Sequence, residues 1–192
     1  MLFRSYSVDA INNYADVGVG TQGRVDIQRD WNIYGGGSFN MRHEDRGTPG
    51  TSTLSGIAPN KYNQIPLNLG YYQKFNRFSV RADGRLDNYN YTNPGAGPSN
   101  GQVWNWQRDR NEWRESLRMG YDFSPGYTVW SRGGLNQRNY LYTPDSQGFY
   151  RNNYGWDVVG GVAVDLGGIT SFEAFAGYLT QYYVDPNFPT IQ

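Results

Sequence analysis

Between Phe78 and Asp87, apolar and charged side chains take strict turns. Phe78, Val80, Ala82 and Leu86 fall on one parity, and Ser79, Arg81, Asp83, Arg85 and Asp87 fall on the other. A period of two belongs to a β-strand, whose successive side chains point to opposite faces. A helix would scatter these charges around its whole circumference. The pattern recurs along the chain. Trp31, Ile33, Gly35, Gly37, Phe39 and Met41 alternate with Asn32, Tyr34, Gly36, Ser38, Asn40 and Arg42. Ile65, Leu67, Leu69, Tyr71 and Phe75 oppose Gln64, Pro66, Asn68, Gly70 and Lys74. Trp113, Leu117, Met119, Tyr121 and Phe123 oppose Arg114, Ser116, Arg118 and Asp122, and Trp156, Val158, Val162, Val164 and Leu166 oppose Asp157 and Asp165. Glu115 interrupts its apolar row, and its place toward the loop end of the strand predicts a membrane interface, where a charge costs far less than at the bilayer centre.

Less regular stretches at Tyr14 to Gln28, Tyr127 to Tyr142 and Ile169 to Tyr183 bring the expected total to about eight strands. In the last of these, Phe172, Ala174, Ala176 and Tyr178 look outward while Phe175 and Leu179 fall on the other face. Short turn signals stand at Arg29-Asp30, Phe75-Asn76-Arg77, Ser124-Pro125-Gly126 and Gly167-Gly168. Between them lie polar segments from His43 to Tyr62, Thr92 to Arg110 and Thr143 to Asn153, rich in Gly, Pro, Ser, Asn and Asp. Short turns at one end and long loops at the other are the asymmetry of an outer-membrane barrel. The strongest rival is a helix from Trp106 to Met119, where Arg, Glu, Leu and Met favour helix and Glu112 and Ser116 are spaced four apart. The alternation from Trp113 to Phe123 favours a strand.

Composition decides what the apolar rows face. Only 38% of the 192 residues are hydrophobic, too few for a soluble core of this size, whereas 17 Tyr and 6 Trp supply rings that are apolar in body and polar at the tip. Such rings gather where hydrocarbon meets water. Here they collect near the short turns (Trp31, Tyr71, Phe75, Phe78, Tyr121, Phe123, Tyr127) and near the long loops (Tyr89, Tyr91, Trp104, Trp106, Trp113, Tyr140, Tyr142, Tyr154). No apolar run is long enough for a transmembrane helix, and a mean hydropathy of -0.74 suits strands that are only half apolar. The formal charge of zero, without a basic block, excludes a nucleic-acid binder. The absence of Cys excludes thiolate metal sites and disulfides. The fold expected is an all-β, antiparallel, up-and-down outer-membrane β-barrel, with residues 1–192 as a single region. Its polar rows would line a wet lumen with Arg81, Asp83, Arg85, Asp87, Arg114, Arg118, Asp122, Arg132 and Arg138. Cross-strand pairing that keeps the interior polar accounts for these charges more simply than a dedicated solute ladder.

Two motifs suggest other chemistry. Gly18-Val19-Gly20-Thr21-Gln22-Gly23 satisfies G-x-G-x-x-G, but a dinucleotide site needs a helix to follow, and Arg24-Val25-Asp26-Ile27 is strand-like. His43, the only histidine, lies in His43-Glu44-Asp45-Arg46 with no second His, Cys or nucleophile arrangement to make a catalytic or metal site. The chain is therefore read as non-enzymatic, with no cofactor and no metal.

Several segments, in order, resemble the outer-membrane porins of the "beta-barrel porin 2" type, often encoded beside exopolysaccharide synthesis genes. They are Arg42-His43-Glu44-Asp45-Arg46 with Pro49, Gly120-Tyr121-Asp122-Phe123-Ser124-Pro125-Gly126, Arg138-Asn139-Tyr140, and Gly177 through Pro186. The resemblance implies a bacterial outer-membrane location, contact with outer-membrane lipid, and a porin-like role in exporting surface polysaccharide or passing small hydrophilic solutes. It implies no catalytic residue. A structural or glycan-binding barrel with a plugged lumen is the alternative, and an outer-membrane enzyme using His43 a more distant one. No basic segment followed by an apolar one opens the chain, and Asp185-Pro186-Asn187-Phe188-Pro189 does not end it on an aromatic-terminated strand. The expectation is a piece of a larger barrel, cut at both ends.

Overall fold

A computed structural model describes residues 2–4, 14–44, 60–92, 105–167 and 170–192. They form one antiparallel sheet of nine strands whose spatial order is their order along the chain. The strands are β1 (Leu2–Arg4), β2 (Tyr14–Gln28), β3 (Trp31–His43), β4 (Lys61–Phe75), β5 (Phe78–Thr92), β6 (Arg110–Ser124), β7 (Tyr127–Tyr140), β8 (Asn153–Asp165) and β9 (Ser171–Tyr183). The eight long strands match the eight expected from alternation; the three-residue β1, pairing Leu2 with Asp16 and Arg4 with Tyr14, was too short to show a period. Among the described residues no pairing joins β1 to β9, so the sheet is open. Asp45, Arg46, Pro49, Trp104, Gly168 and Ile169, which the sequence reading used in loops, a turn, an aromatic belt and the last strand, lie outside the described residues.

The segment that could have been helical divides in two. Asn105–Arg108 makes one 3-10 turn, and from Arg110 the chain is β6. Tertiary pairing overrides the local propensity, because both neighbouring strands offer a full ladder, from Phe78↔Tyr121 to Tyr89↔Arg110 on one side and from Arg110↔Tyr140 to Ser124↔Tyr127 on the other. Gly18 through Gly23 lies wholly within β2, paired residue for residue with Asn40 to Gly35 of β3, in place of the turn before a helix that a dinucleotide site requires.

The short turns are built by residues that accept a left-handed backbone. Asn76 has φ 54° and Gly126 has φ 77°, conformations that Asn and Gly tolerate and bulky residues do not. Each turn is also tied to the next hairpin. Lys74 N–H donates to Asp30 O (2.8 Å), Asp122 N–H to Arg77 O (2.8 Å) and Asp165 N–H to Gly126 O (2.7 Å). The short-turn edge is thus a continuous rim.

Burial is inverted relative to a soluble protein. Among the described residues the buried hydrophobic ones are Tyr91 and Trp130, whereas Asn32, Gln64, Asp87, Asn105, Asp109, Glu112 and Asn153 are all buried. Leu69 is 65% exposed, Leu135 62% and Val19 69%. An exposed apolar face of this extent calls for an apolar medium. Strands of 13 to 15 residues exceed the roughly 9 to 11 that span a bilayer, so their ends run past the apolar band. The register corrects one part of the aromatic reading. Tyr89, Tyr91 and Tyr140 share the parity of Arg85, Arg110 and Arg138 and stand on the polar face. The outer belt at the long-loop end is instead Trp113, Tyr154, Trp156, Tyr178 and Tyr182, with the ring pairs Trp156–Tyr178 and Tyr154–Tyr182.

The free edge of β9 is partly occupied by the segment after it. Gln181 N–H donates to Ile191 O (2.9 Å) and Ile191 N–H returns to Gln181 O (3.1 Å). A folded-back strap of this kind removes template positions from an open edge.

The face assignment predicts an asymmetry at the middle of β6. Leu117 is on the apolar face and Ser116 on the polar face beside Asp83. Leu117→Arg should weaken folding into lipid by roughly 1 to 3 kcal/mol, between the costs of a lipid-facing Arg at the bilayer midplane and near its interfaces, and Ser116→Arg should have little effect. Urea titration of the protein in vesicles measures both; equal destabilisation would overturn the assignment.

Candidate functional site

The nine charged residues expected to share a face do share one. Strand register sets them in rows across the sheet. Arg81, Arg118 and Arg132 lie side by side on β5, β6 and β7. Asp83 lies one row further toward the long loops, opposite Ser116. Arg85 and Arg114 form the next row, and Asp87, Glu112 and Arg138 the one after it. Asp122 stands near the short turns, opposite Thr128.

Like charges directly opposite each other destabilise a sheet, so each arginine is drawn to a carboxylate in another row or strand. Arg81 Nε donates to Asp83 (2.8 Å), Arg85 Nε to Asp87 (2.6 Å), Arg118 Nη2 to Glu173 (2.7 Å) and Arg132 Nη2 to Asp157 (2.7 Å). Glu112 is a hub, with Arg110 at 2.8 Å, Arg114 at 2.8 Å and Arg138 at 3.0 Å around one buried carboxylate. Asp122 accepts from Lys74 Nζ (2.7 Å) and Thr128 Oγ1 (2.6 Å). Arg110, Glu112 and Glu173 are thus functional-face residues absent from the sequence expectation, while Lys74 and Asp157, which the alternation placed on the polar side, join the face as ion-pair partners. Arg110 and Glu112 preceded the alternation as first recognised, and extending its parity by two residues would have found Glu112.

Two aromatic rings lie flat across the polar face. Tyr34 crosses β4 over Gly70, where an added Cβ would come within 2.2 Å of the ring, and its hydroxyl reaches Asp83 on β5. Arg81 covers it at 5.5 Å from the ring centre. Trp130 lies over Gly161, where a Cβ would meet the indole at 2.8 Å, with Arg118 stacked 3.9 Å above. Glycine is required at both positions because no other residue leaves room for the ring. The stacked guanidiniums gain cation–π attraction while retaining their carboxylates.

At the long-loop end a second cluster closes the rim. Glu44, just past β3, accepts from both terminal nitrogens of Arg108, from Asn60 Nδ2 (3.1 Å) and from Tyr91 OH (3.2 Å). Arg108 lies 4.3 Å over the Tyr91 ring, and Arg110 4.3 Å over Tyr89. Burial raises the Glu44 carboxyl, but its hydrogen bonds from Arg108 and Asn60 outweigh this and hold it below the usual carboxylate range. Asp109 is pushed the other way, raised by burial, with the Tyr91 N–H only partly opposing. His43 belongs to a neighbouring packing unit. Its Nδ1 faces both Asp16 carboxylate oxygens at 2.9 and 3.0 Å, and its ring stacks on Tyr14 at 3.4 Å between centres.

The model of one protein family, described as "Putative beta-barrel porin 2", matches residues 3–192. No curated protein matches the chain, and neither does any solved structure.

Acid should open the rim. A carboxyl lowered by folding contributes stability above its unfolded pKa and loses it as pH falls through the folded value. The Glu44–Arg108 clamp should therefore loosen as the pH falls below the usual carboxylate range. Fluorescence of Trp106, on the turn that carries Arg108, should report a reversible transition there. Glu44→Gln should abolish it; an unchanged transition in that variant would assign the change elsewhere, because Asp109, with its raised pKa, changes stability in the opposite direction.

Proposed function

The chain belongs to the putative beta-barrel porin 2 family, and from that premise we propose that it forms the wall of a porin-like channel in the bacterial outer membrane, exporting surface exopolysaccharide along its polar face. The observation that carries this reading is the row of Arg81, Arg118 and Arg132. Their side chains are 53%, 40% and 44% exposed. Three guanidiniums at one level, each with a single carboxylate, are tolerable where water screens them and costly in a packed interior. A hydrated polysaccharide suits such a wall. Its hydroxyls can exchange hydrogen bonds with paired guanidinium and carboxylate groups without either charge being stripped of partners. The reading assigns no catalytic residue, cofactor or metal, and it leaves His43 a packing role against Asp16 and Tyr14.

One feature favours a second reading, a glycan-binding barrel whose lumen is closed. Phe175 (69% exposed) and Leu179 (53% exposed) stand on the otherwise polar face of β9. An exposed ring flanked by the Arg118–Glu173 pair is suited to holding a sugar ring in place. Glycan binding by a protein without conductance would favour this reading over a channel.

The channel reading is tested in planar bilayers with the intact protein. It should conduct, and Arg118→Gln with Arg132→Gln should shift its ion selectivity toward cations, most at low salt, where screening is weakest. Absence of conductance would overturn the channel; conductance with unchanged selectivity would remove the arginine row from the path.

A further inference from the structure

Beside the arginine row the polar face is hollow. A recess of about 520 Å³ lies between β2 and β5, lined by Gln22, Arg24, Asn32, Tyr34, Tyr72 and Arg81. Its size is that of a small-ligand site, roughly 300 to 1,000 Å³. Register explains the hollow. Arg24, Tyr34 and Gly70 lie side by side on β2, β3 and β4, and Asp26, Asn32 and Tyr72 form the adjoining row toward the short turns. Arg24 turns along its own strand to Asp26 (2.7 Å), whereas Tyr34 leans the other way, over Gly70 to Asp83. The two side chains part, and Asn32 lies between them at the floor.

Asn32 is 5% exposed, and among the described residues its side chain has no hydrogen-bond partner. A carboxamide carries two N–H donors and one acceptor oxygen, and burying such a group without partners is costly. It borders the recess, where a ligand can reach it. Around it the charges cancel. Arg24 is paired with Asp26 and Arg81 with Asp83, and each guanidinium is more than half exposed, with N–H groups beyond those its carboxylate takes. The recess thus combines hydrogen-bond donors, an acceptor and two phenol rings with no net charge.

That combination matches a sugar ring, whose hydroxyls both donate and accept and whose C–H surface is apolar. We propose that the recess is a subsite for one uncharged pyranose residue of a polysaccharide. The Asn32 carboxamide donates to one of two vicinal hydroxyls and accepts from the other. Arg24 and Arg81 donate to hydroxyls from opposite sides, and the rings of Tyr34 and Tyr72 border the C–H surface. Asn32 is the second residue of β3 and Arg81 the fourth of β5, so the subsite lies near the short turns. In a bacterial outer-membrane barrel that end faces the periplasm, where an exported chain enters.

The subsite rests on the glycan-carrying reading, so binding and conductance are measured separately. The intact protein is refolded into detergent micelles, and folding is scored by heat-modifiable gel mobility. Calorimetry then compares an uncharged probe, cellohexaose, with a carboxylated one, hexagalacturonate. The wild type should bind cellohexaose at least as tightly as hexagalacturonate. Asn32→Ala should weaken cellohexaose binding by about tenfold, the scale of one or two hydrogen bonds, and Arg24→Gln by about threefold. Asn136→Ala, which removes an amide from the same face of β7, should bind as the wild type does. A folded wild type that does not bind cellohexaose, binding that survives both substitutions, or a preference for hexagalacturonate would overturn the subsite. Conductance in planar bilayers without saccharide binding would remove the subsite and leave the channel; binding without conductance would remove the channel and leave the subsite.

Discussion

In hydrocarbon no water is available to satisfy a backbone N–H or C=O, and this constraint organises the molecule. Every long strand from β3 to β8 is paired along nearly its whole length on both sides. The ladder leaves side chains free to be apolar on one face and charged on the other, because neither face has to supply the backbone with partners. The short-turn rim continues the same solution beyond the strands, with each turn carbonyl accepting from the following hairpin.

Given that ladder, glycine decides where the surface can be crossed. Gly70 and Gly161 let Tyr34 and Trp130 lie flat on the polar face, so a ring from one strand can reach a partner two strands away. Gly84 and Gly133 do the opposite on the apolar face, where nothing fills the space they leave. The same residue type thus carries rings across the polar side of the wall and leaves notches in the other.

The charges obey a similar economy. Rows of like sign would repel if each residue interacted only with the one opposite, but pairing also runs along a strand, to another row of the next strand, or past it. Arg81 turns to Asp83 two residues on, and Arg118 reaches past Trp130 to Glu173 on β9. The result is a braced surface in which carboxylates are more deeply buried than the guanidiniums around them, as at Asp87 and Glu112. The arginines remain the groups presented to water.

The eight long strands, their short turns and the shared face of the nine charged residues were legible in the sequence, because a period of two survives wherever one face is apolar and the other polar. Residues 105–112 were not, since good helix formers there compete with a ladder that only the neighbouring strands supply. Tyr89, Tyr91 and Tyr140 were misread for a related reason: a ring is compatible with either face, and its composition does not reveal its parity. By itself the sequence determined a two-faced antiparallel wall and the sign of the charges on each face. Register alone decided which charges became neighbours and which glycines lay under rings or under nothing, because those relations join residues tens of positions apart that no local period connects.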